Sequence, residues 1–318
     1  MNKERKIIQL GDITIKERDL ECLKLLNEYG AVKRKYVHKF YELKNPKNKY
    51  SNKYKYARIN RLKEEQYIEE NKKMFTLGNE GRIYLKLIGE KIHYKNYLRM
   101  EKRRFLSDIH ELLYSFRNFK KRLGRSQIQN GKYIKDGTGF IKLFYGKVIS
   151  NNDKEYFVYK VKRNSNNFYI KKVINEINDL MVENVIIFFE NENNLRYYKS
   201  IDTQKKFMKT EILMNLKEDS FKVLNLISDD VLNNENIFDL LKSNINIKFI
   251  NNYLYINNII TFNFLENDFV KEELVNYFIQ EQTIDSYYIL CFEHQKDRIK
   301  NEFKNAKIVS LDINSIYK

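Results

Sequence analysis

The net positive charge of this chain is confined to one part of it, and that division constrains the fold more than any single motif. Residues 1–140 contain 35 lysines and arginines against 17 aspartates and glutamates, whereas residues 141–318 contain 24 and 25. A chain of 318 residues is long enough for two domains. The distribution therefore predicts a basic N-terminal domain suited to a phosphate backbone, followed by a nearly neutral domain.

The cysteines and the apolar segments indicate the cellular compartment in which the protein is expected. Cys22 and Cys291 lie far apart in apolar surroundings, and we expect both to be buried thiols in a reducing compartment. No apolar run approaches the roughly 20 residues needed to cross a bilayer, and no signal-peptide pattern opens the chain. The sequence therefore predicts a cytoplasmic protein.

Helical patterns followed by short strands predict a winged helix-turn-helix domain in residues 1–88. Leu20, Leu23 and Leu26 recur at the spacing of one helix face, and Gly30 is placed to end that helix. The basic turn Lys72-Lys73 joins the two expected strands of the wing. The expected elements are helices at about 14–29, 33–43 and 53–66, and strands at 67–68 and 74–77.

The third predicted helix is the expected reader of DNA bases. In a helix-turn-helix arrangement this helix enters the major groove, where arginine bonds guanine and asparagine can bond adenine. Arg58 and Arg61 are the first choice for guanine, and Asn60 is the candidate for adenine. The complete set of predicted DNA-binding residues is Lys33, Arg34, Lys35, Lys53, Lys55, Tyr56, Arg58, Asn60, Arg61, Lys72 and Lys73.

The density of cations in this region indicates contacts to the phosphate backbone. Residues 33–63 contain twelve basic residues and one acid, Glu42. Such contacts position a protein on the duplex without reading its sequence. Lys72 and Lys73, at the tip of the predicted wing, could reach a phosphate or the minor groove.

Two segments are predicted to connect the domains. Residues 89–123 are expected to form a long helical extension, either one helix or a broken pair, and the glycine-rich residues 124–139 are expected to form a linker. An apolar stripe on the extension favours packing against a core over a dimer seam. The stripe comprises Phe105, Ile109, Leu112, Leu113 and Phe116.

Residues 140–318 are expected to form an α/β domain, because short apolar strands alternate with helices. The order of elements in residues 140–230 returns in residues 245–318, where YFVYKVKR corresponds to IITFNFLE and NVIIFFEN to YYILCFEH. This repetition predicts an internal duplication of a ββαβ unit, or one sheet built from two similar halves. The predicted fold class of the whole chain is therefore α+β or α/β.

Signatures of catalysis are scarce. The four histidines are scattered without metal-ligand spacing, and the chain contains no phosphate loop and no serine elbow. The sequence therefore predicts no cofactor, no metal site and no enzymatic activity. Two alternatives stay open: a metal-dependent nuclease or nicking enzyme that uses the C-terminal domain, and a protein whose basic half binds RNA or an acidic surface.

The N-terminal motifs resemble the replication-relaxation family found on plasmids and other mobile elements. The resemblance covers about residues 13–116 and is carried by ITIKERDLECLKLLNEYG, ARINRL and MFTLGNEG. It implies sequence-specific binding of double-stranded DNA of a plasmid, phage or other mobile element, in replication, in mobilisation and relaxosome assembly, or in transcriptional control. The expected partners are repeated or palindromic DNA sites, a second copy of the chain, and a replication protein or relaxase.

Members of that family often carry a C-terminal part similar to the restriction-endonuclease fold. By this resemblance Asp136-Gly137 would precede the first strand, and residues 159–162 would stand where an acid-x-Lys motif belongs. Lys160 occupies a position at which a metal-binding carboxylate is needed, and a divalent ion needs more than one carboxylate. The resemblance therefore implies a degenerate domain without nuclease activity, used for protein contacts or dimerisation.

Overall fold

The chain folds as a mixture of α-helices and β-strands in two compact units. The computed structural model describes residues 14–42, 50–94, 98–128, 143–201, 207–242, 246–282, 284 and 286–316. The first unit comprises Met1–Ser115 and Gly124–Ile134, and the second comprises Phe116–Leu123 and Lys135–Lys318. Within the described ranges, no helix combines the length and the apolar character that a membrane span requires.

The first unit combines helices with a small three-stranded sheet. Its strand order is β1-β3-β2, and both neighbouring pairs are antiparallel. The three predicted helices and the hairpin are present, and strand β1 is an addition that the sequence did not predict. In chain order the elements are α1 (Glu17–Tyr29), β1 (Val32–Lys33), α2 (Arg34–Phe40), α3 (Tyr50–Glu64), β2 (Ile68–Asn71), β3 (Met74–Leu77), α4 (Asn79–Leu87) and α5 (Met100–Tyr114).

The apolar residues of α1 and α3 form the core of this unit. Leu23 and Leu26 are buried on α1, and Ile59 and Leu62 are buried on α3. Gly30 ends α1 with a positive φ of 74°, and its amide donates to the carbonyl of Leu26 at 2.9 Å. Only glycine adopts this backbone conformation at little cost, which explains why the helix stops there.

Two glycines after the hairpin are required by close approach of the backbone. A Cβ atom on Gly78 would lie 2.0 Å from the carbonyl oxygen of Gln66, and one on Gly81 would lie 2.3 Å from that of Tyr67. The amide of Gly78 donates to the Tyr67 carbonyl at 2.9 Å. These glycines therefore fix the start of α4 against the end of α3 and the beginning of β2.

The predicted extension at residues 89–123 is not one long helix. Its helical part, α5, ends at Tyr114, and Lys121–Gly124 form strand β4. The chain continues as helix α6 (Arg125–Ile128) in the first unit. The prediction that the linker begins at Gly124 is therefore wrong for residues 124–128, and residues 129–139 lie outside the described ranges.

The apolar stripe of the extension packs against cores, as the sequence favoured. Ile109, Leu112 and Leu113 are buried on α5. Phe116 belongs to the second unit, where its ring meets that of Phe188 edge-on at 5.9 Å. The stripe is therefore divided between the two units.

The second unit contains two five-stranded sheets. The first has the order β4-β5-β6-β7-β8 and the second β9-β10-β11-β12-β13. The remaining elements, in chain order, are β5 (Gly146–Ile149), β6 (Glu155–Val161), α7 (Asn167–Asp179), β7 (Asn184–Phe189), α8 (Glu192–Ser200), β8 (Thr210–Asn215), α9 (Glu218–Ser228), α10 (Asn234–Leu241), β9 (Ile247–Ile250), β10 (Tyr253–Ile256), β11 (Ile259–Asn263), α11 (Phe269–Glu281), β12 (Tyr287–Phe292), α12 (Lys296–Glu302), β13 (Ala306–Leu311) and α13 (Ile313–Ile316).

The two sheets repeat one sequence of elements. In each sheet the second and third strands are antiparallel, and the third, fourth and fifth strands are parallel. Helices α7 and α11 lie between the third and fourth strands of their sheets, and α8 and α12 between the fourth and fifth. The segments aligned from the sequence, β6 with β11 and β7 with β12, occupy equivalent positions. Each half forms its own sheet, so the two halves do not make up one sheet.

Candidate nucleic-acid interface

Helix α3 has one buried side and one exposed side. Ile59 and Leu62 are at most 2% exposed. On the opposite side, exposed residues recur at intervals of three and four, which places them along one face of the helix. We call this face the exposed row; it comprises Lys53, Tyr56, Ala57, Asn60, Arg61 and Glu64.

The exposed row contains part of the predicted site and two residues that the prediction missed. Lys53, Tyr56, Asn60 and Arg61 were predicted, and all are exposed. Ala57 and Glu64 were missed, although their spacing from Asn60 places them on the same face. A small side chain and a carboxylate are also groups that contact bases, through the thymine methyl and the cytosine amino group.

The structure does not present Arg58 to solvent, although the sequence predicts that Arg58, together with Arg61, reads guanine. The Arg58 side chain is 10% exposed and pairs with Asp19, whose side chain is 1% exposed. Its Nε donates to Asp19 Oδ1 at 3.1 Å, and its Nη2 donates to the Thr14 carbonyl at 2.7 Å. In this arrangement Arg58 cannot reach a base edge.

Asp19 connects the first three helices. Besides Arg58 of α3, it accepts a hydrogen bond from the Tyr41 hydroxyl, at the end of α2, at 3.0 Å. It also accepts one from the backbone amide of Lys16 at 2.8 Å, which caps α1. Burial alone disfavours the charged guanidinium, but the hydrogen bonds to Asp19 outweigh it and raise the pKa of Arg58. The pair therefore stays charged and fixes α3 against α1.

Lys55 is the second predicted contact that faces inward. It is 7% exposed. Its ammonium lies 3.4 Å from Glu42 and 5.4 Å from the centre of the Tyr56 ring. Lys55, which the sequence also predicts to contact DNA, therefore does not lie on the exposed side of α3, because its charge is directed towards the protein.

The cations of α2 and β1 are paired with acids that lie far away in the sequence. Lys33 and Lys35 both pair with Glu111 of α5, Lys35 at 2.6 Å. Arg34 pairs with Glu70 of β2, which also accepts from Lys63 at 3.0 Å. The twelve basic residues of 33–63 are therefore partly neutralised by acids from other elements, although the segment itself contains one acid.

The turn between β2 and β3 projects two lysines. Lys72 and Lys73 are exposed, and both have positive φ values, of 49° and 63°. Two left-handed residues are typical of a two-residue type I′ hairpin turn, which asparagine and glycine adopt at the lowest cost. The Lys73 carbonyl accepts from the Arg34 amide at 2.8 Å, which ties the turn to the start of α2.

We expect the double replacement Lys72→Asn and Lys73→Gly to strengthen the fold and to weaken non-specific DNA binding. Relief of the left-handed strain should raise the free energy of unfolding by about 0.5–2 kcal/mol. If the two lysines contact phosphates, as the sequence predicts, their loss should make the salt dependence of log Kd shallower by up to about 2. Urea titrations and binding to a random duplex at several salt concentrations measure both. The control is Lys102→Asn with Arg104→Gln, which removes two exposed cations from α5; an equal change in salt dependence would contradict a role for the turn.

The second unit has an ion pair at Lys160, the position where the restriction-endonuclease resemblance requires a metal-binding carboxylate. Within the described residues, no group of three or more histidine, cysteine, aspartate or glutamate side chains is placed to hold a metal ion. Lys160, on β6, is 12% exposed and pairs with Glu190 at 2.6 Å. Asp136-Gly137, the other half of the restriction-endonuclease resemblance, lies outside the described residues.

A cleft of about 630 Å³ lies in the second unit. Its lining comes mainly from α8 and α12, with residues of β8, of the start of α9 and of the segments that precede α11 and α12. Beneath it, Glu272 receives two hydrogen bonds from Arg298, at 2.8 and 2.9 Å, and one from Lys199 at 2.9 Å. Glu302 pairs with both cations as well. The charges around the cleft therefore largely satisfy one another.

Comparisons with known proteins identify no relative of this chain. No protein-family model, no curated protein sequence and no solved structure matches it.

Proposed function

We propose that residues 1–88 form a winged-helix domain that binds double-stranded DNA sequence-specifically, with α3 in the major groove. The exposed row carries this proposal, because it sets a continuous polar face opposite the buried face of the third helix. The order α1-β1-α2-α3-β2-β3 and the antiparallel sheet β1-β3-β2 support it. The turn at Lys72 and Lys73 takes the place of the wing.

Each end of the exposed row has a distinct chemistry. Asn60 can bond the N6 and N7 groups of adenine, and Arg61 the O6 and N7 groups of guanine. Glu64, one turn further along, can accept from the cytosine amino group. Lys53 and Tyr56, near the start of the helix, are suited to phosphate and sugar contacts.

The motif resemblance is the basis for the proposed biological setting. It is also the basis for the proposed role of the second unit. We propose that the DNA belongs to a plasmid, phage or other mobile element, and that the role lies in replication, mobilisation or transcriptional control. A second copy of the chain on repeated or palindromic sites is part of the same proposal. The second unit would then serve protein contacts.

Selection of duplexes from a random library by the full-length protein at about 0.15 M salt tests the proposal. We expect one enriched sequence family, bound at least about a thousandfold more tightly than a random duplex. Equal retention of random duplex, structured RNA and heparin would contradict it and would favour a non-specific polyanion binder. Magnesium-dependent cleavage of the selected duplex would favour the nuclease alternative.

Replacing Asn60 and Arg61 together by alanine is expected to remove most of this selectivity. Each bidentate base contact contributes about 1–3 kcal/mol, so the preference for the selected site should fall at least about thirtyfold. Non-specific affinity should fall only a few-fold, because one cation is lost. Gel-shift titrations with selected and scrambled duplexes measure both quantities.

The control for that variant is Arg104→Ala, which removes one exposed cation from α5. It should leave the preference for the selected site unchanged. An Asn60→Ala, Arg61→Ala protein that still prefers the selected duplex as strongly as the unmodified chain would remove the exposed row from the reading role.

A further inference from the structure

Two glutamates each hold a pair of cations close to the proposed DNA-binding face. Glu70 pairs with Arg34 and Lys63, and Glu111 pairs with Lys33 and Lys35. Three of these cations are residues that the sequence assigns to DNA contacts. The charge that a phosphate backbone would attract is therefore already engaged by carboxylates of the same unit.

Glu70 lies where three elements of the proposed interface meet. It belongs to β2, its side chain is 10% exposed, and it joins Arg34 at the start of α2 to Lys63 near the end of α3. The Lys63 ammonium is 3.0 Å from Oε2. The hydrogen bonds from Lys63 and Arg34 overcome the effect of burial and lower the pKa of Glu70. This carboxylate is therefore ionised at neutral pH.

Glu111 is the equivalent group on α5. It pairs with Lys33 and lies 2.6 Å from the Lys35 ammonium, and it accepts from the Tyr36 hydroxyl at 3.3 Å. Burial alone would raise its pKa, but the hydrogen bonds from Lys33 and Lys35 lower it to about 2. Its side chain is 33% exposed. Solvent and a phosphate can therefore reach the pair.

We propose that Glu70 and Glu111 act as intramolecular competitors of the DNA phosphates, and that they set the level of non-specific binding. This inference depends on the proposed DNA-binding function. A phosphate that contacts Lys33, Arg34, Lys35 or Lys63 competes with a carboxylate for the same charge. The bases are read by the exposed row, whose Asn60 and Arg61 lie outside these ion pairs.

The consequence is a gain in selectivity at the expense of affinity. Non-specific binding depends on the number of phosphates that are neutralised and on the counterions that are released. Cations already neutralised by Glu70 or Glu111 contribute less to that term. Sequence-specific binding adds base contacts that these glutamates leave untouched, so its relative weight increases.

Replacing Glu70 or Glu111 by glutamine tests the proposal in the full-length protein. Each variant should bind a random duplex about three- to tenfold more tightly at about 0.1 M salt. The slope of log Kd against log salt should steepen by up to about 2 for Glu70→Gln, which releases two cations, and by less for Glu111→Gln, because Lys33 keeps Asp108 at 3.9 Å. The ratio of specific to non-specific affinity should fall accordingly.

Glu101→Gln is the matched control, because Glu101 is an exposed acid on α5 and its loss changes the net charge equally. Glu70 and Glu111 variants that behave like Glu101→Gln would overturn the proposal. Because Glu70 is more buried, Glu111→Gln decides the matter if Glu70→Gln does not fold. A full-length protein that selects no duplex at all would instead refute the DNA-binding function itself.

Discussion

Replacement of Asp19 by alanine is expected to lower the free energy of unfolding of the first unit by about 3–5 kcal/mol. Asp19 is 1% exposed and is the partner of Arg58, whose side chain is 10% exposed. Without the carboxylate, a guanidinium would stay in the protein interior with its charge uncompensated. The Tyr41 hydroxyl and the amide of Lys16 would also lose their acceptor.

Urea unfolding of the full-length protein, followed by circular dichroism, measures this change. We expect the transition of the first unit to move and that of the second unit to stay, because each has its own core. Arg61→Ala is the control on the same helix, with an expected cost below about 0.5 kcal/mol at an exposed position. A cost for Asp19→Ala no larger than that control would show that the pair does not fix α3.

A second variant distinguishes the cost of leaving Arg58 unpaired from the cost of losing the ion pair itself. In the double variant Asp19→Leu, Arg58→Met both charges are replaced by apolar groups of similar size. Because the desolvation cost of both ions disappears, this protein should recover most of the stability lost in Asp19→Ala. The proposed selective binding of DNA should also survive, since Arg58 is directed into the protein and Arg61 is not.

Replacement of Glu272 by alanine is expected to have an effect of similar size in the second unit. Glu272 is 3% exposed and accepts from Arg298 and Lys199. Removing it leaves two largely buried cations that keep Glu302 as a charged partner but lose their shared buried carboxylate, and a loss of about 3–5 kcal/mol follows. Glu281→Ala, at the exposed end of the same helix, should cost less than about 0.5 kcal/mol.

The same carboxylate makes the stability of this unit dependent on pH. Burial raises the pKa of Glu272, but Arg298 and Lys199 more than compensate and lower it below the ordinary value of 4.5. A lowered pKa in the folded state means that the contribution is fully present above pH 4.5 and is lost as the pH falls through the folded-state pKa. The stability difference between the unmodified protein and Glu272→Gln should therefore shrink on acidification. A difference that is constant from pH 7 to pH 3 would contradict the assignment.

The buried face of α3 could have been predicted from the spacing of its residues. Lys55, Arg58, Ile59 and Leu62 follow one another at the intervals of a single helix face, and that face is buried. Had Ile59 and Leu62 been used to set the phase of the helix, Arg58 and Lys55 would have been assigned inward. The opposite face would then have given Ala57 and Glu64 together with Asn60 and Arg61.

The partners of the ion pairs could not be predicted from the spacing of residues along one helix. Arg58 and Asp19 are 39 residues apart, Arg34 and Glu70 are 36 apart, and Lys33 and Glu111 are 78 apart. A count of bases and acids along one segment ignores such partners, because they arrive from other elements only when the chain folds. The basic stretch at residues 33–63 is consequently less positive in space than in sequence.

The sequence by itself determined the three helices and the hairpin of the first unit, the repeated pattern of the second unit, and the phase of α3 that follows from Ile59 and Leu62. These features depend on the periodicity of apolar residues, which is a local property. The tertiary structure decided which cations face solvent, which carboxylates neutralise the others, and that the two halves form separate sheets. The reason is physical: burial and ion pairing are set by neighbours in space, and those neighbours lie tens of residues away along the chain.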